Sequence, residues 1–293
     1  MKVAVLGANG QLGSDVCAEF LRNGDSVYGF THSDVELTSA SSVDAALSAR
    51  NPDLVVNTAA MHHVEKCEQD PISAFTANAI GAKYVAEWAK RADATVIYIS
   101  TDYVFNGKKC SPYLETDVAA PINAYGITKL AGEHLTAATA RKHFVLRVSA
   151  IYGLQPCRAK GGLNFVELML KLSRENDRLR VVDDEYVSPT PTVKIAEQLV
   201  ALSRSTNYGL YHGTAEDSCS WYEFAREIFD SINLKVRLEK AAPGEFSSKV
   251  PRPKYSVLEN AALKAHQLNV FPDWREGLHR YLNTRAQSTA SVF

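Results

Sequence analysis

Tyr125 and Lys129 stand four residues apart in a stretch that reads as helical, Tyr125-Gly126-Ile127-Thr128-Lys129. That spacing puts both side chains on one helix face. A phenol has an ordinary pKa of about 10 and is a poor acid–base group at neutral pH. A nearby ammonium stabilises the phenolate and brings proton exchange with a carbonyl or alcohol within reach. An ordinary surface helix supplies the same pair, so the pair needs company. Ser100-Thr101-Asp102 closes an apolar strand upstream and offers a hydroxyl at a strand end.

The company is at the N-terminus. Residues 3–6 form a short apolar run suited to a buried parallel strand, and Gly7, Gly10 and Gly13 follow at three-residue spacing. Leu12, Val16, Phe20 and Leu21 then repeat at helical spacing. In a strand–turn–helix unit of this kind the first glycine permits the turn. The second lets a pyrophosphate reach the backbone, and the third lets helix pack on strand. Gly7, Asn9, Gly10, Gln11, Leu12 and Gly13 are therefore the candidate phosphate loop of a dinucleotide, facing the positive end of a helix. The next strand ends Phe30-Thr31-His32-Ser33, with no acid before Asp34. An acid there would bind a ribose 2′-hydroxyl and repel a 2′-phosphate. Its absence suits NADPH, with Thr31 beside the ribose, and leaves NADH possible.

At 293 residues the chain is long enough for one large domain and a smaller one. A hydrophobic fraction of 46% and a net charge of −1 are those of an ordinary globular protein. They give no electrostatic case for nucleic acid or an anionic membrane as partner. No apolar run is long enough to span a bilayer. The five cysteines are dispersed, form no metal-ligand pattern and read as free thiols, so no metal is expected. The adjacent His62 and His63 lack spaced partners and suggest no metal either. With strand and phosphate loop already in the first residues, a cytoplasmic protein is expected.

The positioning elements alternate. Residues 26–30, 54–57, 95–100 and 144–148 read as strands. Residues 41–49 (with Ser42 as a cap), 74–91 and 123–140 read as helices. This predicts an α/β fold, a Rossmann-type doubly wound parallel sheet with a smaller C-terminal substrate domain. Pro156, Gly161 and Gly162 mark a break, residues 193–203 and 222–232 read as helices, and residues 210–213 return to the sheet. The expected division is 1–152 plus about 190–216 for the dinucleotide domain. About 153–189 plus 217–283 form the substrate region, and 284–293 a mobile tail.

Together, Gly7-x-x-Gly10-x-x-Gly13, Asn57-Thr58-Ala59-Ala60, residues 100–105, Tyr125-x-x-x-Lys129-x-x-Gly132-Glu133, Ser188-Pro189-Thr190, residues 220–225 and Arg252-Pro253-x-Tyr255-Ser256-x-Leu258 resemble the extended short-chain dehydrogenases. More narrowly, the series resembles the dTDP-4-dehydrorhamnose reductase family along nearly the whole chain. The resemblance implies reduction of a 4-keto sugar nucleotide by a nicotinamide cofactor, in carbohydrate biosynthesis. It makes Thr101, Tyr125 and Lys129 the catalytic triad: Tyr125 donates a proton to the carbonyl oxygen, Thr101 hydrogen-bonds that oxygen, and Lys129 depresses the Tyr125 pKa. Tyr125 and Lys129 also hold the cofactor, with Ala59 and Ala60 flanking it. Val64, with Glu65 next to it, and Asp102, Tyr103, Asn164 and Arg252 fall at substrate positions, Arg252 on the diphosphate. A homodimer is a possible assembly. His212 and Trp221 read as core or capping residues and stay outside the site.

Three departures mark this chain. Ala150 stands where relatives commonly carry a tryptophan, which opens space beside the sugar. Asp184-Glu185-Tyr186-Val187 replaces a usual Asp-Gln-x-Gly. The acids that bind a bridging magnesium in some members are not evident, with Ser14 near one such place. Two alternatives stay open at this stage: a sugar-nucleotide epimerase of the same fold, and a non-catalytic cofactor-binding regulatory subunit. Dehydration would want an Asp-Glu pair after the threonine, and the chain has Asp102-Tyr103.

Overall fold

Alternation along the first strand shows why this sheet is covered on both faces. Successive strand residues point to opposite sides. Val3 and Val5 join Leu12, Val16 and Phe20 in one core, while Ala4 and Leu6 join Val43, Leu47, Val85 and Trp88 in another. The computed structural model describes residues 1–157, 161–242, 244–246 and 249–290, the side chains of 289 and 290 excepted.

The order of elements is β1 (Lys2–Leu6), α1 (Gln11–Arg22), β2 (Ser26–Phe30), α2 (Ala40–Ser48), β3 (Leu54–Asn57), α3 (Val64–Gln69), α4 (Pro71–Phe75), a π-helical turn (Thr76–Ile80), α5 (Gly81–Ala92), β4 (Thr95–Thr101), α6 (Ala124–Thr139), β5 (His143–Val148) and β6 (Ile151–Tyr152). There follow α7 (Phe165–Glu175), β7 (Arg178–Val181), β8 (Tyr186–Val187), β9 (Thr190–Pro191), α8 (Thr192–Ser203), β10 (Gly209–His212), β11 (Cys219–Ser220), α9 (Trp221–Ser231), β12 (Arg237–Lys240), α10 (Ala261–Ala265) and α11 (Trp274–Ala290).

Six strands make one parallel sheet in the order β10-β5-β4-β3-β1-β2. The chain leaves β1 toward β2 and returns on its other side as β3, so the order reverses between β1 and β3. In parallel sheets a ligand crevice opens at the C-terminal strand ends beside such a reversal. The glycine loop follows β1, Ala59 and Ala60 follow β3, and Thr101 ends β4. Topology thus gathers three sequence-distant candidate segments on one edge.

A separate core assembles beyond the sheet. Tyr152, Val166, Met169, Phe224, Ile228, Trp274 and Leu278 are buried together there. The sequence expectations differ from the structure at several points. Leu263 and Phe271, expected in the substrate region, pack into the sheet's core beside β10. The helix expected over 74–91 is broken by the π-helical turn, and α3 went unread. The cap of α2 is Ser39, which accepts from the Ser42 amide. Helix α11 runs to Ala290, so the expected mobile tail is helix over 284–290: Thr284 Oγ1 donates to Arg280 O at 2.9 Å, and Arg285 pairs with Glu167 on α7. The last three positions of that expected tail lie outside the described residues.

Candidate active site

Gly7 has φ +80°, a left-handed conformation that L side chains rarely adopt. Its amide and that of Ala8 both donate to Phe30 O, which fixes the loop against the end of β2. A Cβ on Gly13 would collide with Gly7 O, whereas a Cβ on Gly10 would meet only Gly7 O, at 3.2 Å. Helix α1 starts at Gln11 with no side-chain cap and no acid in its first turn. Its leading amides are therefore open to an anion, and the positive helix end faces the crevice. The Gln11 side chain is turned away from that role: Nε2 donates to Gly153 O and Gln155 O, at 3.3 and 3.0 Å. Asn9 is exposed. A cradle that a side chain at Gly10 would fill, with Ala59 and Ala60 opposite, fits a dinucleotide pyrophosphate.

At the end of β2 the Asp34 carboxylate accepts from both the amide and the hydroxyl of Thr31, at 2.7 and 2.6 Å. These bonds hold its pKa below the ordinary aspartate value. The acid is folded onto its own turn.

Asn123 caps α6 by accepting from the Gly126 amide at 2.9 Å, and Tyr125 and Lys129 stand on the first two turns that follow. Gly126 packs so closely that a Cβ there would collide with Tyr103 O. This approach brings Tyr125 close enough to Thr101 for the threonine hydroxyl to bear on the Tyr125 pKa. The Tyr103 ring meets the Tyr125 ring edge-on at 5.8 Å. Burial pushes the Tyr125 hydroxyl above its ordinary pKa, and the Thr101 hydroxyl opposes that push only in part. Lys129 is not among the causes of that shift. Burial lowers its own pKa to about 7, against the opposing charges of Glu133 and Cys67. Its ammonium lies 4.0 Å from the centre of the Tyr98 ring.

Two residues that sequence reasoning missed hold this arrangement. In the π-helical turn, Asn78 accepts from Met61 N at 2.8 Å and donates to Met61 O at 2.9 Å and to Thr128 Oγ1 at 3.0 Å. It clamps the loop after β3 to the catalytic helix. Tyr98 donates to Asn78 O at 2.9 Å while its ring supports Lys129. A π turn within a helix often marks a functional position, but its sequence reads as plain helix. Deeper down, register places Ser100 opposite Arg147, and both bond Glu133 of α6. His212 lies wholly buried beside Arg147, and burial with that charge lowers its pKa to about 3.

Several proposed substrate residues point elsewhere. Asp102 is buried and accepts from Thr101 Oγ1 at 3.1 Å, Ser149 Oγ at 2.9 Å and Ser256 Oγ at 2.5 Å. Its carboxyl group is engaged in fixing the ends of β4 and β5 and the segment near Ser256. Val64, the first residue of α3, is buried. Asn164 lines the cleft, but its amide caps α7 and donates to Gly153 O. Ala150 follows β5 at φ +44°.

The large cleft, about 980 Å³, lies between α3, α7, the start of α9 and residues 249–252. Glu65, Glu68, Asn164, Phe165, Glu185, Trp221 and Arg252 are among its walls. The Phe165 and Trp221 rings lie 4.6 Å apart. Trp221, set aside as a core residue, is thus a wall of the cleft. Among the described residues no group of three or more His, Cys, Asp or Glu could hold a metal ion, and no helix is long and apolar enough to cross a membrane.

Known proteins resemble this chain along nearly its whole length. Residues 1–287 match the model of the family described as RmlD substrate binding domain. The chain is 39% identical over 288 residues to the spore coat polysaccharide biosynthesis protein SpsK of Bacillus subtilis (strain 168), covering 98% of this chain and 99% of that one. It is 33% identical to the dTDP-4-dehydrorhamnose reductase of Escherichia coli (strain K12), covering 99% and 100%. The crystal structure of dTDP-4-dehydrorhamnose reductase from Bacillus anthracis, in complex with NADP, superposes with a TM-score of 0.92 at 35% identity over 97% of this chain and 99% of that one. With a glycine loop, a Thr–Tyr–Lys edge and relatives matched end to end, the chain belongs to the dTDP-4-dehydrorhamnose reductase family of the extended short-chain dehydrogenases.

Proposed function

We propose that this protein is an NADPH-dependent reductase of a 4-keto deoxysugar nucleotide, with Tyr125 as proton donor. The observation that carries the reading is the placing of Thr101 at the C-terminal end of β4 and of Tyr125 and Lys129 one turn apart on α6, at the sheet edge where the glycine loop follows β1. Bound NADPH supplies the hydride equivalent for the carbonyl carbon. The protein's own part is to place the carbonyl oxygen against Tyr125 and Thr101. A reduction needs a protonated phenol there, and the burial that raises the Tyr125 pKa keeps it protonated. Thr101 shares the oxygen and orients it. Lys129, poised near neutrality, meets the ribose hydroxyls. The amides that start α1 take the pyrophosphate, and Gly10 leaves room for it. Asp34, committed to Thr31, leaves hydroxyls and His32 to face a 2′-phosphate, so NADPH is the preferred cofactor and NADH the weaker one. Phe165 and Trp221 offer a stacking surface for the base, and Arg252 the guanidinium for the diphosphate. Such a reductase acts in the cytoplasm, where NADPH is supplied.

The test is NADPH oxidation against a panel of 4-keto deoxysugar nucleotides, with Tyr125→Phe alongside wild type. Turnover should fall by about 100-fold or more in the variant, with NADPH affinity within about twofold. Turnover within threefold of wild type would remove Tyr125 from the proton-donor role.

A further inference from the structure

Arg252, the cation that the proposed reading gives to the diphosphate, is already held. Its Nη2 donates to Glu65 Oε1 at 2.5 Å. Glu65 belongs to α3, and Arg252 to a segment tied both to the start of α6 and to β8: Pro251 O accepts from Asn123, and Lys254 O accepts from the Tyr186 amide. Both residues line the same cleft, and the ion pair forms part of its wall. Glu185, a further carboxylate of the wall, also faces Arg252. One guanidinium therefore answers to two acids at the place where an anionic ligand would sit.

The strengths of the competing contacts can be ordered. Each side chain of the Glu65–Arg252 pair is 36% exposed. Pairs this open to solvent are weak. A diphosphate offers a guanidinium two or more oxygens in fork geometry and a higher charge than a carboxylate. Lys249 lines the same wall with no ion-pair partner among the described residues, ready to share a second phosphate. A single phosphate, with less charge and one set of oxygens, competes less well against two carboxylates.

We propose that Glu65 is a specificity-determining residue: it holds Arg252 in the cleft and yields it to a diphosphate, so that nucleotides with one phosphate are disfavoured. This rests on the cleft being the sugar-nucleotide site. The test is calorimetric titration of wild type, Glu65→Gln and Glu65→Ala with thymidine diphosphate and with thymidine monophosphate. Removal of the competing charge should tighten monophosphate binding by roughly three- to tenfold and diphosphate binding by less than about twofold, so that the preference for the diphosphate falls. The difference from wild type should shrink in high salt, which a purely structural role for Glu65 would not produce. Unchanged or weaker monophosphate binding in both variants would overturn the proposal, as would equal gains for the two nucleotides. If no thymidine nucleotide binds any of the proteins, the reading of the cleft fails and this proposal fails with it. If wild type binds the diphosphate and the variants keep its preference over the monophosphate, only the proposal fails.

Discussion

The floor of the site and its wall are built on opposite plans. The floor is packed backbone against backbone. A Cβ at Gly13, at Gly126 or at Gly132 would each strike a fixed neighbour. Its polar groups are closed on one another, with Glu133 on Ser100 and Arg147, and Asp102 on three hydroxyls. The wall is made of side chains: Phe165, Trp221, the exposed Phe246 and a solvent-exposed ion pair. Chemistry that depends on Thr101 and Tyr125 meeting one oxygen needs a rigid support. Choice of ligand is a matter of side chains, which change without disturbing that support.

The sharpest way to break this comparison lies within the glycine loop. Gly13→Val should destabilise the protein by more than about 3 kcal/mol, because the new side chain must displace Gly7 O. Gly10→Val should shift stability by no more than about 1 kcal/mol yet weaken NADPH binding by more than about tenfold, since it fills only the ligand's space. Urea denaturation and fluorescence titration of NADPH separate the two. Equal destabilisation by both would show that the whole loop is floor.

A smaller effect is expected at the wall. Trp221→Ala should raise KM for the sugar nucleotide by about five- to tenfold, the loss expected for one aromatic stacking surface. Its kcat and its KM for NADPH should stay within about twofold of wild type. Steady-state kinetics that showed kcat falling in parallel would place Trp221 with the catalytic apparatus.

A pH profile reads the dryness of the floor. Burial lowers the Lys129 pKa to about 7 from an ordinary 10.5, so the unfolded chain binds the proton more tightly than the folded one. The destabilisation is in full force below pH 7 and is relieved as pH rises toward the unfolded value. Stability should therefore rise with pH across that window, by at most about 1.4 kcal/mol per unit. Lys129→Met should flatten the rise. Parallel pH profiles for the two proteins, by denaturant midpoint, would mean that the ammonium is better solvated than the structure has it.

Much of the floor was legible in advance because it rests on local rules. The glycine spacing, the alternation of strands with helices and the Tyr125/Lys129 interval each express a fixed period of the chain. Less of the wall could be read. Trp221 has the spacing of a helix-start core residue, and only the docking of α9 against α7 turns it toward the cleft. Asp102 next to Thr101 reads as a sugar ligand, yet Ser149 and Ser256, 47 and 154 residues away in sequence, claim its oxygens.

By itself the sequence determined the sheet, its phosphate loop and the residues able to move a proton, since backbone periodicity and glycine's conformational freedom act over a few residues. Tertiary structure alone decided which of those groups meet. Burial pushed the Tyr125 pKa up and that of Lys129 down to about 7, and long-range contacts set Asn78 as the clamp on Met61 and paired Arg252 with Glu65. Desolvation and charge pairing depend on everything that surrounds a group, and that surrounding is assembled from the whole length of the chain.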